Sequence, residues 1–164
     1  MGIAGSGKST LGRRLAEALG RPFVEGDAFH TPANLAKMTA GAPLTDDDRE
    51  PWLISLIVAI LEVEVRGSSA VVACSALRRG ARDRFRQAIG PLRFLHLSID
   101  GAEARRRLLD REDHFMPASL VSSQLEALDD PAGEVDVLRV DATRPLDALV
   151  AEVLATGDLR RFGA

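Results

Sequence analysis

Residues Gly2 to Ser9 read Gly-Ile-Ala-Gly-Ser-Gly-Lys-Ser, which fills every fixed position of the pattern G-x-x-x-x-G-K-[ST]. The spacing suits binding of a polyphosphate. Glycines let successive backbone N–H groups wrap an anion without Cβ clashes, and the helix that follows points its positive end at the charge. Gly2, Ala4, Gly5, Ser6, Gly7, Lys8, Ser9 and Thr10 are therefore the expected nucleotide-binding residues, with Lys8 on the outer phosphates and the Ser9 hydroxyl on Mg²⁺. A second group of candidates is basic. Arg107 and Arg111 lie one helical turn apart on one face, placed to neutralise charge on a transferring phosphoryl group. They belong to an expected mobile lid over about residues 107–118. Lys8 and Lys37 are the only lysines among 21 basic residues. In a chain that otherwise uses arginine, Lys37 is a weak pointer to a second site needing a compact charge.

These residues need a scaffold, and the chain supplies alternating signals for one. Helical apolar spacing at Leu11, Leu15, Ala18 and Leu19 predicts a helix over Lys8 to Leu19, closed by Gly20. A short strand is expected at Pro22–Val24, ending at Glu25-Gly26-Asp27. Thr31 followed by Pro32 starts a short helix over Ala33–Met38. Thr45 and the acids Asp46, Asp47 and Asp48 start a long one to about Arg66. Strands at Ser68–Cys74, Leu92–Ile99 and Val135–Val140 alternate with helices at Leu77–Ile89, Ala102–Asp110, Ala118–Leu128 and Pro145–Leu154. Alternation of this kind predicts an α/β fold of three layers, a parallel sheet with helices on both faces. Ligands in such sheets bind at the carboxyl ends of the strands, where the loop, Asp27, Ser75 and Asp141 all fall. One domain over 1–164 is expected, without internal repeat or linker. The motif glycine is residue 2, so Met1–Ala4 supplies only the end of a first strand. Strands usually run about 5–6 residues. The expectation is that the natural chain starts upstream of Met1, or that the protein is marginally stable.

Composition narrows the class. Apolar residues make up 46% and charged residues 27%, which is ordinary globular usage, and the net charge of −3 gives no support to binding of nucleic acid or of an anionic membrane. No apolar run approaches the ~20 residues of a membrane span, and no signal peptide precedes the loop. A single cysteine, Cys74, excludes an internal disulfide framework. A soluble cytoplasmic protein is expected. No Asn-Lys-x-Asp string is present, against a GTP-binding switch, and Asp130-Pro-Ala-Gly133 matches D-x-x-G without a leading strand. The strand at Ala70–Ala73 ends in Cys74-Ser75 rather than in the acidic residue of motor ATPases. Short length and the Arg-rich helix and loop favour a small-molecule kinase.

Four stretches resemble the small P-loop type of gluconate kinase. The first is Gly2–Thr10. The second is Glu25-Gly-Asp27-Ala-Phe-His30 with Asn34, Lys37, Met38, Gly41-Ala-Pro-Leu44, Asp46-Asp-Asp48-Arg49 and Pro51-Trp52-Leu53. The third is Cys74-Ser-Ala-Leu77 with Arg82-Asp83, and the fourth Arg107, Arg111, His114-Phe115, Ser123-Gln124 and Pro131. Related shikimate and adenylate kinases lack the second stretch. The chain departs from the family at Asp113, where Gly is usual before the lid histidine, at Pro32, which comes one residue late after His30, and in the short first strand.

The resemblance implies transfer of the γ-phosphoryl group of ATP, with Mg²⁺, to the 6-hydroxyl of D-gluconate. It implies Asp27 as proton acceptor or orienter of that hydroxyl and Glu25 as holder of metal-bound water. His30, Asn34, Lys37, Arg49, Ser75 and Arg82 become the sugar-acid contacts, with Arg49 and Lys37 ranked above Arg82 for the carboxylate. Asp141 is placed near the adenine, Asp46–Asp48 at a helix cap and Trp52 in a core or interface. His96 is expected as a satisfied strand histidine, Cys74 as a buried small residue and a homodimer as a possible assembly. The alternatives are a kinase for another sugar acid or polyol, such as shikimate, and a non-catalytic nucleotide-binding protein.

Overall fold

Short runs of branched apolar residues alternate with helix-spaced ones, and the backbone follows that alternation. The computed structural model describes residues 1–110 and 117–157. In chain order they form α1 (Lys8–Leu19), β1 (Phe23–Glu25), a 3-10 turn (Gly26–Phe29), α2 (Pro32–Thr39), α3 (Asp46–Val65), β2 (Val71–Ala73), α4 (Arg79–Ile89), β3 (Phe94–Ser98), α5 (Gly101–Leu109), α6 (Leu120–Glu126), β4 (Val137–Asp141) and α7 (Leu146–Ala155).

Helix starts are set by local chemistry. Thr31 Oγ1 accepts the Asn34 N–H at 3.1 Å with Pro32 in the first turn of α2. Thr45 and Asp48 form a reciprocal capping box on α3, and Asp100 caps α5 through the N–H groups of Ala102 and Glu103. Helix α1 has no side-chain cap. It begins at Gly7, in the left-handed region, so its first N–H groups stay directed at the loop.

Both strand pairs are parallel. Phe23, Val24 and Glu25 of β1 stand opposite Val71, Val72 and Ala73 of β2, and Phe94–Ser98 of β3 opposite Val137–Asp141 of β4. Period-two alternation divides their side chains between two layers. Val71, Leu95, Leu97 and Val140 pack with Leu11 and Leu15 of α1 and Leu149 and Val153 of α7. Val72, Phe94 and Val137 pack with Leu56, Ile57 and Ile60 of α3 and Phe85 of α4. Each such side chain, fully buried, contributes ~1.5–3 kcal/mol. Helices therefore cover both faces, as the alternation predicts.

The centre of the sheet differs from expectation. Met1–Ala4 forms no strand, and the sheet is two separate pairs, β1–β2 and β3–β4. Met1 and Gly2 bridge them by three hydrogen bonds. Gly2 N–H donates to Ser75 O at 3.1 Å, Leu97 N–H donates to Met1 O at 2.9 Å, and the Met1 amine donates to Leu95 O. The chain then turns at once into the phosphate loop. Among the described residues no helix is long and apolar enough to cross a membrane.

Candidate active site

The loop from Gly2 to Gly7 links the sheet centre to the start of α1. A Cβ on Gly5, which has φ +80°, would lie 2.4 Å from Ala104 O, so only glycine lets α5 pack against the loop. That contact seats Arg107 one turn further along α5. Lys8 Nζ donates to Ile3 O at 3.0 Å, folded back over the loop. Ala4 N–H donates to Gln124 Oε1 at 2.6 Å, tying the loop to α6. Ser6 Oγ is buried without a hydrogen-bond partner. The site that this loop offers, glycines open to an anion beside a lysine and the Ser9 hydroxyl, fits a polyphosphate. Ser9 and Asp27 line one cavity, and an alcohol oxygen with a carboxylate is a donor set suited to Mg²⁺. Among the described residues no cluster of three His, Cys, Asp or Glu side chains forms a dedicated metal site.

Opposite the loop, the 3-10 turn after β1 presents Asp27 and His30. Its first residue, Gly26, is held by two neighbours. A Cβ there would meet Ala73 O at 2.6 Å, and the Trp52 indole N–H donates to Gly26 O at 2.7 Å. The Trp52 ring also stacks on His30, with centroids 5.1 Å apart and planes 12° apart. Burial pushes the His30 pKa below its usual value, Asp27 pulls it back up and Arg49 pushes it further down. His30 is thus neutral at pH 7, and its Nδ1 is buried without a hydrogen-bond partner. One turn before Trp52, Arg49 reaches the same space, where it also donates to Asp46 Oδ1 at 2.8 Å.

A cavity of about 90 Å³ joins these parts. Its walls include Lys8 and Ser9 from the loop, Asp27 and His30 from the turn, Arg49 and Trp52 from α3, Ser75 after β2, and Gln124 from α6. Met38, Leu44, Leu77 and Leu120 add apolar surface. An anion cradle and a carboxylate facing a common space, with a guanidinium and a neutral imidazole beside them, can position an alcohol against a phosphate.

Several expected contacts are not part of this cavity. Arg82 is a correction. It is fully buried, and its five N–H groups donate to Glu134 Oε2 at 3.0 Å and Glu134 Oε1, Ala76 O at 3.1 Å, Leu77 O at 2.7 Å and Asp129 O at 3.0 Å. No donor remains for a substrate. Its job is to hold the bend at Ser75–Leu77, where Ala76 has φ +42°. Lys37 is likewise turned away, with Nζ bound to both oxygens of Asp48 at 2.6 and 2.8 Å, and Lys37 and Thr45 hold that carboxyl's pKa at about 2. Buried Asn34 donates to Asp48 O at 2.7 Å. Both residues fasten α2 to the start of α3 instead of reaching the cavity.

Glu25 ends β1 and Asp141 ends β4, and neither lines the cavity. Asp141 accepts from the N–H and hydroxyl of Thr143 at 2.9 and 2.7 Å, which lowers its pKa. Arg107 Nε donates to Glu103 Oε1 at 2.8 Å. Arg111, Asp113, His114 and Phe115 lie outside the described residues, as does half of the expected lid. Gln124 and Trp52 line the cavity although sequence reasoning assigned them no role there, and Trp52 also sits in the core as expected. A glutamine amide on a loop N–H has no sequence signature, and Trp52 within an apolar run reads as core.

The model of the AAA domain family matches residues 1–132. The chain is 44% identical to the gluconokinase of Gluconobacter oxydans (strain 621H), over 94% of this chain and 86% of that protein. The chain belongs to the gluconokinase family. Solved structures agree. A gluconokinase from Sinorhizobium meliloti 1021 superposes with a TM-score of 0.83 at 47% identity, covering 94% of this chain and 87% of its own. An unliganded sugar kinase from Janibacter sp. HTCC2649 gives 0.90 at 40% identity, covering 96% and 91%.

Proposed function

We propose that the chain is an ATP-dependent gluconokinase that moves the γ-phosphoryl group of ATP to the 6-hydroxyl of D-gluconate, giving 6-phospho-D-gluconate and ADP. The observation that carries this is the shared cavity. Lys8 and Ser9 of the phosphate loop face the same space as Asp27, with Arg49 and His30 alongside. Gluconate has an alcohol at one end and a carboxylate at the other. Asp27 suits the alcohol, accepting its proton or orienting its lone pair toward phosphorus. Arg49 suits the carboxylate through a two-point contact. Neutral His30 and the Ser75 hydroxyl offer hydrogen bonds to the hydroxyls between.

Lys8 leaves Ile3 O to bind the outer phosphates, and loop N–H groups hold the rest. Ser9 would ligate Mg²⁺, with Glu25 acting through water, and the ion supplies charge neutralisation on the phosphates. Arg107 and Arg111 add positive charge as the phosphoryl group moves. Met38, Leu44, Leu77 and Leu120 reduce water access, which limits wasteful hydrolysis. Asp141 marks the adenine side. Ile54 and Val58, exposed one turn apart on α3, support a homodimer across that helix. The need for ATP places the reaction in the cytoplasm.

Coupled ADP release with an acceptor panel tests the function. Gluconate is expected to stimulate release at least ~10-fold over no acceptor, and shikimate is not. Equal release without acceptor, preference for another polyol, or no turnover each contradicts the assignment.

A further inference from the structure

A second cavity, of about 300 Å³, opens on the β3–β4 pair. Parallel register sets His96 beside Arg139, and Ser98 stands two residues along β3 on the same face. These three make a polar patch, in which Arg139 Nη2 donates to Ser98 Oγ at 2.8 Å. The remaining lining is mostly apolar. It includes Leu125 of α6, Leu128 just beyond that helix and Ile3 of the phosphate loop, with Asp130 as its one carboxylate. No residue lines both this cavity and the catalytic one. The two are nonetheless built on the same segments: Ile3 here and Ala4 there, Leu125 and Gln124, Leu128 and Ala127.

His96 marks the cavity as a place for a polar ligand. It is 5% exposed, and its Nδ1 is buried with no hydrogen-bond partner among the described residues. Buried polar atoms are normally paired, so an orphan on a cavity wall calls for an occupant. Burial, then the Met1 amine and Arg139, hold the ring's pKa at about 4, while Asp130 pulls the other way. The imidazole is neutral at pH 7 and can offer Nδ1 as an acceptor. We propose that this cavity binds a small zwitterion with an apolar tail, an apolar α-amino acid such as leucine. The carboxylate would meet the Arg139 guanidinium and the Ser98 hydroxyl. The ammonium would donate to His96 Nδ1 and to Asp130, so each charge on the ligand finds its opposite in the wall. The branched side chain would lie against Leu125, Leu128 and Ile3, the usual pairing of apolar lining with a few placed polar groups. A simple anion would leave Asp130 facing a like charge, and a simple cation would do the same to Arg139. The site does not depend on which acceptor the enzyme phosphorylates.

The probe is L-leucine, titrated into the full chain without ATP or gluconate and read by the imidazole Cε1–H signals in an NMR spectrum. The chain has 3 histidines, and His96→Gln assigns the signal of His96. Leucine is expected to move that signal saturably, with half-saturation below ~5 mM, and to leave the His30 signal in place. Two half-molecules test the paired charges. 4-Methylpentanoate lacks the amino group and 3-methylbutylamine lacks the carboxylate, and each is expected to bind at least ~10-fold more weakly than leucine. Arg139→Gln, a change at an exposed side chain, is expected to weaken leucine binding to the same degree. No saturable shift up to ~50 mM leucine overturns the proposal. So does equal binding of either half-molecule, unchanged affinity in Arg139→Gln, or a His30 shift as large as that of His96, which would place leucine in the catalytic cavity.

Discussion

His30 and His96 are both neutral because burial, the leading cause in each, disfavours the imidazolium, yet the two have different consequences. His30 faces the cavity and keeps a hydrogen-bonding imidazole at neutral pH. His96 lies in β3, 5% exposed with Nδ1 unpartnered, and its pKa falls to about 4 through burial and then the N-terminal amine. A base whose folded pKa lies below its ordinary 6.5 lends full stability above that pH. The contribution is lost as pH falls toward 4 and totals about 3 kcal/mol at ~1.4 kcal/mol per unit. We expect His96→Leu to flatten the urea-midpoint profile between pH 7 and 4.5 while leaving pH 7 to 9 unchanged. Parallel profiles for the two proteins contradict this. Legibility in the sequence was uneven at this scale. The glycine loop was plain because its spacing is its mechanism. Asp27 was singled out because it follows the end of a strand opposite the loop, and it lines the cavity. Lys37 and Asn34 looked like ligands by type, but Asp48, eleven positions beyond Lys37, takes them both, and no one-dimensional pattern shows that competition.

Elements explain the fate of Arg82. It comes from α4, yet every bond it makes fixes the connection after β2 or the segment around Asp129 and Glu134. Glu134, held to a pKa of about 2 chiefly by Arg82, also meets Arg86, whose Nε donates to Asp136 Oδ2 at 2.8 Å. Removing one partner of a buried pair costs ~3–5 kcal/mol, and ~1 kcal/mol shifts Tm by about 2–4 °C at this chain length. Arg82→Ala is expected to lower Tm by about 6 °C or more in a thermal scan. A substrate contact would instead raise KM for gluconate at unchanged Tm, and that result would restore the discarded role. Helix starts were legible at Thr31 and Thr45 because capping is local. Strands proved shorter than their apolar runs. Ser68–Cys74 narrows to Val71–Ala73 because pairing with β1, not composition, sets its length.

At the scale of the molecule, two parallel strand pairs and their helices hold a loop and a turn face to face. The turn is fixed by Trp52 and by the close approach of Gly26 to Ala73, the loop by Gln124 and by Gly5 against Ala104. Fold class and helix layers followed from alternation. The split of the sheet into two pairs was not expected and was visible only in three dimensions.

The central claim is that Asp27 and the phosphate loop act on one acceptor alcohol held between them. Single-turnover phosphoryl transfer to gluconate by Asp27→Asn, alongside its equilibrium affinity for ATP, tests this most directly. We predict transfer slowed by ~10²-fold or more with ATP affinity within about 2-fold of the parent. Transfer at the parent rate, or a loss explained wholly by weaker ATP binding, would contradict the account.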